Sequence, residues 1–340
     1  MQTKLCKTLF SLFFILFLIT LTGCTPQTEA VSKTGFYFDT TATITLYEND
    51  AAARETLFQG CFALCKSYEE LLSRTIPDSD IWKINHAKGA PVVVSEETAT
   101  LLTLALSYCS DTNGAVDITI APLSSLWDFS SEELENKAEH TIPSEEQRKE
   151  ALSHVDYRKV IVDGNTVTLT DPDAAIDLGC VAKGFIADRL KEYLVKNDCK
   201  SAIINLGGNI VTVGARPDGT PFQIGIQNPE GGSPIAVLPI TDASLVSSGT
   251  YQRCFEKDGI LYHHLLSTKT GMPIQNGLRS VTILSASSAD GDMLSTACFL
   301  LGLTDGMAYV ESLPGIEAVF ITEDHVLHTS SGLSSLLQTP

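Results

Sequence analysis

After residue 200 the chain passes through "AIINLGGNIVTVGA", "PFQIGIQN", "IAVLPIT" and "SVTILSA", strand-like stretches separated by turns rather than helices. Helical patterns elsewhere are inserted unevenly, which argues against regular βαβ winding, because a parallel pair needs a long crossover, usually a helix. The fold expected is α+β, with mixed or antiparallel sheets and helices in one compact domain that leaves room for two lobes. No internal repeat and no Pro/Gly/Ser-rich linker divides residues 34–340.

Before residue 200, "FYFDTTATITLY" alternates as one strand. "AAARETLFQGCFALCKSYEELLSR" reads as an amphipathic helix, "TIPDSDIWKIN" as a loop, and "EETATLLTLALSYCSDTNG" as a helix with an acidic start and a terminal glycine. "AVDITIAPLSSLWDF" is irregular, and "SSEELENKAEHTIPSEEQRKE" is an acidic surface insertion. "KVIVDGNTVTLTD" is a hairpin across Asp163-Gly164-Asn165. Two late helices, from about Asp290 and Thr304, precede the hairpin "EAVFITEDHVLHTS".

The N-terminus stands apart. Lys4 and Lys7 precede the apolar run "LFSLFFILFLITL", which ends in "LTGC". Basic, then apolar, then small residues make a secretory signal over 1–23, with an uncleaved anchor helix as the alternative. "LTGC" resembles a bacterial lipobox with Cys24 as the lipidated residue, and 24–33 reads as a polar tether. The protein is therefore expected outside the cell, held on the outer face of the cell membrane by a lipid on Cys24.

The formal charge is −18. Such a chain repels nucleic acid and anionic headgroups, so no nucleic-acid partner is expected and an anionic ligand requires a mediating cation. Of nine cysteines, those beyond Cys6 and Cys24 form no even disulfide framework. Cys61 and Cys65, one helical turn apart, read as core thiols, with a metal or redox pair as the alternative.

Four stretches carry chemistry. "DLGCVAKG", Asp177 to Gly184, places an acid, two glycines and a lysine at a strand-to-helix turn, where free N–H groups favour an anion. It matches neither G-x-G-x-x-G nor G-x-x-x-x-G-K-[ST], and Asp177 would repel bare phosphate, so a metal between acid and phosphate fits better. In "ADGDMLSTACFLLG", Asp292 and Thr296 share a helix face and are hard oxygen ligands suited to Mg²⁺, though Asp290 or Asp292 could simply cap the helix. In "LYHHLLSTKTGMP", His263 and His264 point to opposite faces of an extended segment, one toward a site and one toward solvent, or else they are ordinary strand histidines. Gly207-Gly208 permits a close backbone approach or a simple turn. H-E-x-x-H and G-x-S-x-G are both missing, which argues against zinc and serine hydrolysis.

Taken in order, "PDSDIWKIN", "GAVDITIAPLSSLWDF", "IDLGCVAKGFIAD", "AIINLGGNIVTVG", "SSGTYQRCF", "YHHLLSTKTGMP" and "DMLSTACFLLG" resemble the ApbE family, the FAD:protein FMN transferases. The resemblance implies Mg²⁺-dependent transfer of FMN from FAD to a Thr or Ser hydroxyl of an exported flavoprotein, with release of AMP. It implies metal ligation by Asp292, Thr296 and the Cys180 carbonyl, with Ser295 close by. It places Phe38, Thr75, Ala115, Val116, Asp117, Asp177, Lys183 and Leu265 at FAD. His264 is the first candidate for the base that activates the acceptor hydroxyl, and Asp292 the second. "FDT" stands where the family commonly has M-G-T, Thr75 where an aromatic residue is frequent, and Ser267-Thr268 where many members have Asp-Pro. These departures bear on FAD affinity. A Mg²⁺-dependent FAD pyrophosphatase and a non-catalytic flavin-binding lipoprotein are the rival readings.

Overall fold

A computed structural model of the chain describes residues 29–130, 134, 140–334, 336 and 337. The signal segment and Cys24 lie outside these residues.

The frame is an eight-stranded antiparallel sheet in the order β1-β2-β6-β7-β10-β13-β14-β15. Its strands are β1 (Val31–Tyr37), β2 (Thr40–Leu46), β6 (Ser201–Leu206), β7 (Asn209–Gly214), β10 (Ser244–Gly249), β13 (Leu278–Ser285), β14 (Glu317–Thr322) and β15 (Leu327–Thr329). Alternation along these strands sends side chains to two cores. Ala42, Ile44 and Leu46 of β2, with Ala202, Ile204 and Leu206 of β6, face helices α1 (Ala51–Leu72) and α6 (Ala182–Lys196). Ile203, Ile210, Leu245, Val319 and Ile321 face the opposite way, where the hairpin β8 (Phe222–Ile226) and β9 (Ala236–Ile240) covers them. Helices α7 (Ser288–Leu301) and α8 (Leu303–Glu311) pack on β13 and β14 through Val281, Ile283, Phe299 and Phe320.

The middle of the chain adds α2 (Asp80–His86), α3 (Glu96–Asp111) and a small sheet of β3 (Val92–Val93), β5 (Thr166–Leu169) and β4 (Val160–Asp163). Their apolar residues join the core under α1 and α6. A separate aromatic cluster links α4 (Ala121–Trp127) and α5 (Glu145–Ser153) to the hairpin β11 (Cys254–Lys257) and β12 (Ile260–His263). Trp127 stacks on Tyr262 and on Phe129, with ring centroids 5.8 Å apart in both cases. This cluster forms a second lobe beside the main sheet, and the α+β expectation holds.

Four local readings are corrected. "FYFDTTATITLY" is a hairpin, not one strand: Tyr37 pairs with Thr40, and Phe38 and Asp39 form a two-residue loop at φ 56° and 57°. Positive φ at both loop residues marks a type I′ turn, normally signalled by Asn-Gly, and the Phe-Asp pair hid it. "TIPDSDIWKIN" contains α2, whose start is capped by Ser79 Oγ accepting from Trp82 N at 2.9 Å. That helix is too short to show a 3.6-residue pattern. "PLSSLW" is likewise helical in α4, with proline in its first turn. Finally, β1 begins at Val31, so residues 31–33 of the expected tether belong to the sheet.

Candidate active site

The turn Asp177–Val181 leads into α6, which has no side-chain cap at its N-terminus. Ala182 N bonds back to the Leu178 carbonyl at 2.9 Å, while the N–H groups of Lys183 and Gly184 have no acceptor inside the helix. Gly184 N, a first-turn N–H with no acceptor inside the helix, donates to Asp292 Oδ2 of α7 at 2.9 Å. No hydrogen bond reaches the Cys180 carbonyl among the described residues. The two helices can approach this closely only because residue 184 is glycine: a Cβ there would lie 2.1 Å from the Ser288 carbonyl oxygen and 2.7 Å from Asp292 Cβ. Asp188, one turn further along α6, fixes the same crossing by accepting from Ser288 N at 2.8 Å and Ala289 N at 2.9 Å. Burial raises the Asp188 pKa against the pull of those bonds.

Asp292 is 3% exposed. Its Oδ1 lies 3.5 Å from Lys183 Nζ, which also donates to the Gly179 carbonyl at 3.1 Å. Ser248 Oγ of β10 bridges Ser295 Oγ at 2.8 Å and Thr296 Oγ1 at 3.1 Å. Ser295 Oγ also donates to the Asp292 carbonyl at 3.0 Å. The Asp292 carboxylate and the Gly179 carbonyl thus share the Lys183 ammonium, with the Thr296 hydroxyl one helical turn beyond Asp292 and the unbonded Cys180 carbonyl next to Gly179 in the turn. This is a hard-oxygen donor set that fits a divalent cation such as Mg²⁺.

Asp177 closes the same turn. Its Oδ1 accepts from Gly179 N at 2.9 Å, and its Oδ2 accepts from Ser124 Oγ at 2.9 Å and pairs with Arg74 Nε at 3.3 Å. Arg74 continues to Ser125 Oγ at 2.7 Å. On the far side, Arg253 binds Asp39 Oδ2 at 3.1 Å, and Phe38 N donates to Glu69 Oε1 at 2.7 Å, so the strained hairpin tip is held from both flanks. The Arg253 carbonyl receives His264 N at 3.1 Å and faces His264 Nδ1 at 3.4 Å. A carbonyl only accepts, so Nδ1 carries the proton and Nε2 the lone pair. Burial, reinforced by the positive charge of Arg253, lowers the His264 pKa to about 3 and keeps the ring neutral.

Other expected residues sit differently. His263 is not solvated: it is 1% exposed, its Nδ1 accepts from Leu265 N at 3.3 Å and its Nε2 donates to the Ile274 carbonyl at 3.1 Å. Burial lowers its pKa to about 4. The Leu265 side chain packs in the core with Leu294 and Phe299. Asp117 turns its carboxylate inward, accepting from Thr119 N and Oγ1 at 2.8 and 2.6 Å and from Tyr157 N at 2.8 Å. Its burial raises its pKa while those bonds oppose the rise. Val116 is buried, Ala115 is half-buried, and the next loop is held by Thr268 Oγ1 donating to the Gly114 carbonyl at 2.7 Å. Thr75 is exposed and meets Ser73 Oγ at 3.1 Å.

Arg74, Ser124, Gly184, Ser248 and Arg253 were not among the expected site residues. Only Gly184 had a local signal, as the second glycine of "DLGCVAKG"; the others meet their partners through the fold. Cys61 and Cys65 are buried free thiols whose pKa values burial raises to about 12, which agrees with core packing. Among the described residues, His154, Asp171 and Asp173 form a further group with metal-ligand spacing, but Lys159 and Lys88 already pair with its carboxylates at 2.8 and 3.0 Å.

Against known proteins, a model of the ApbE family matches residues 38–320. A Klebsiella pneumoniae protein named FAD:protein FMN transferase is 36% identical over 84% of this chain and 87% of its own length. A Treponema pallidum protein of the same name is 31% identical over 92% of this chain and 90% of its own. The crystal structure of an ApbE protein from Thermotoga maritima superposes with a TM-score of 0.82 at 29% identity, covering 91% of this chain and 99% of that one. The flavin transferase ApbE from Vibrio cholerae gives a TM-score of 0.81 at 27% identity with the same coverage. With its fold, its family match and its relatives in agreement, the chain belongs to the ApbE family.

Proposed function

We propose that this chain is an FAD:protein FMN transferase, the activity for which its relatives are named. In this reading it is Mg²⁺-dependent, acts on a threonine or serine of an exported flavoprotein, and releases AMP. Cys24 carries its lipid anchor at the outer face of the cell membrane. The observation that supports it best is the meeting of the buried Asp292 carboxylate, the Lys183 ammonium and the Gly184 N–H at the start of α6.

Asp292, Thr296 and the Cys180 carbonyl would hold the cation, with Ser295 and Ser248 orienting Thr296 from behind. When bound, Mg²⁺ acts as a Lewis acid on the pyrophosphate and offsets the negative charge of the protein. Lys183 and the positive end of the α6 dipole would add positive potential at the same oxygens. Phe38, at the hairpin tip, lies beside the flavin end. His264 Nε2 takes the proton of the acceptor hydroxyl as its oxygen bonds to the FMN phosphorus. The bond from that phosphorus to the bridging oxygen breaks in line, and AMP leaves with the electron pair. His264 is neutral across the physiological range, so its Nε2 lone pair is free to accept a proton.

The test is incubation with FAD, Mg²⁺ and an exported acceptor domain, with covalent flavin followed by in-gel fluorescence and intact mass. Transfer gives an acceptor heavier by one FMN residue. Free FMN with AMP and an unmodified acceptor would mean hydrolysis, and unchanged bound FAD would mean a binding protein.

A further inference from the structure

Lys183 occupies an unusual position for a residue meant to grip phosphate. Its ammonium reaches back to the Gly179 carbonyl at 3.1 Å and across to Asp292 Oδ1 at 3.5 Å. Asp292 is almost fully buried, and a buried carboxylate without a counter-charge is costly. The lysine supplies that charge at Oδ1, the carboxylate oxygen that Gly184 N leaves free. An ammonium and a divalent cation cannot both sit at one carboxylate oxygen, because at contact distance their repulsion in a partly dry site is large. Lys183 sits on a flexible four-carbon stem, and its side chain is 26% exposed, so it has somewhere to go.

We propose that Lys183 is an exchangeable counter-ion, holding the cation site of the apoprotein closed and moving to the phosphates of FAD when a divalent cation takes Asp292. The proposal deepens the transferase reading and rests on it. A cation arriving alone must displace an ammonium that then has no anionic partner, so it binds weakly. FAD provides that partner, so cation and FAD favour each other's binding beyond the direct metal–phosphate contacts. The device keeps the site from filling with metal before the substrate arrives, and Gly184 N–H holds Asp292 in place through the exchange.

The test uses the whole soluble chain, Mn²⁺ as the probe cation followed by EPR, and isotope-coded amine labelling of Lys183 read by mass spectrometry. In the wild type, Lys183 should be protected without metal, become labelled when Mn²⁺ is added alone at saturation, and be protected again when FAD follows. Lys183→Gln should bind Mn²⁺ alone roughly three- to tenfold more tightly than the wild type, and FAD should strengthen that binding by a smaller factor. Unchanged or weaker Mn²⁺ binding by Lys183→Gln, or labelling that does not respond to Mn²⁺, overturns the exchange. Asp292→Asn separates the two levels. If it weakens Mn²⁺ binding while Lys183→Gln has no effect, only the exchange fails. If it leaves Mn²⁺ binding intact, the metal assignment fails and takes the exchange with it.

Discussion

The N–H of Gly184 donates to Asp292 Oδ2 at 2.9 Å, fastening the first turn of α6 to the first turns of α7. One hydrogen bond therefore gives a helix-start N–H its partner and sets the position of the buried carboxylate.

Gly184→Ala should break this arrangement. In an ordinary helix interior the change gains about 1 kcal/mol. Here the new methyl would meet the Ser288 carbonyl at 2.1 Å, and backbone on both sides has to move. A net loss of about 1–3 kcal/mol is expected, with loss of FMN transfer at temperatures where the variant is still folded. Thermal melting with a transfer assay checks it, and a raised melting temperature with full activity would show that the helices separate freely.

Asp292→Asn and Asp292→Ala should part company. Asparagine keeps an oxygen for Gly184 N–H but removes the charge, so transfer is lost while the melting temperature stays near that of the wild type. Alanine also orphans a buried N–H, adding about 1–3 kcal/mol of destabilisation. EDTA should act on the wild-type protein as the asparagine does. Full transfer by Asp292→Asn in EDTA would refute the metal assignment.

How much of this was legible depends on the range of each interaction. The strands β6, β7 and β13 face two cores and β2 faces one core with its threonines outward, and these patterns can be read directly. Asp177, Lys183 and Asp292 stood out because acids, glycines and lysine at helix starts are local chemistry. The β1–β2 turn was hidden because Phe38 and Asp39 adopt left-handed backbone without glycine or asparagine. Asp117 was expected at FAD from the family resemblance, while its bond from Tyr157 N comes from a chain segment forty residues away that no local pattern announces. Ser248 and Arg253 earn their places through Thr296 and Asp39, contacts that only the folded sheet creates.

The membrane address is tested at Cys24, which lies outside the described residues. Cys24→Ser should abolish lipid attachment and release the protein from the membrane fraction. Mass spectrometry of the N-terminus with fractionation reads both. Unchanged membrane retention with residues 1–23 intact would favour an anchor helix.

The two adjacent histidines should fail in different ways. His264 presents Nε2 as a neutral base, so His264→Ala should slow transfer roughly 10²–10⁴-fold while FAD and Mn²⁺ still bind. His263 is a packing residue with both ring nitrogens engaged and its ring edge-on to Phe299 at 6.1 Å. His263→Ala should therefore cost about 2 kcal/mol or more of stability by leaving Leu265 N and the Ile274 carbonyl unpaired. It should reduce transfer only as far as the fold is lost. The pH dependence follows from the folded pKa of about 4, which lies below the ordinary histidine value of 6.5. Between those values the unfolded chain binds a proton that the folded chain refuses, so stability falls as pH drops from about 6.5 to about 4, by about 3 kcal/mol from His263. Thermal melts of the wild type and His263→Gln across that window check the sign, since the glutamine variant should show a shallower loss. Equal slopes would mean that His263 is accessible to protons in the folded protein, and equal losses of transfer from His263→Ala and His264→Ala at matched folded fraction would remove the distinction between scaffold and base.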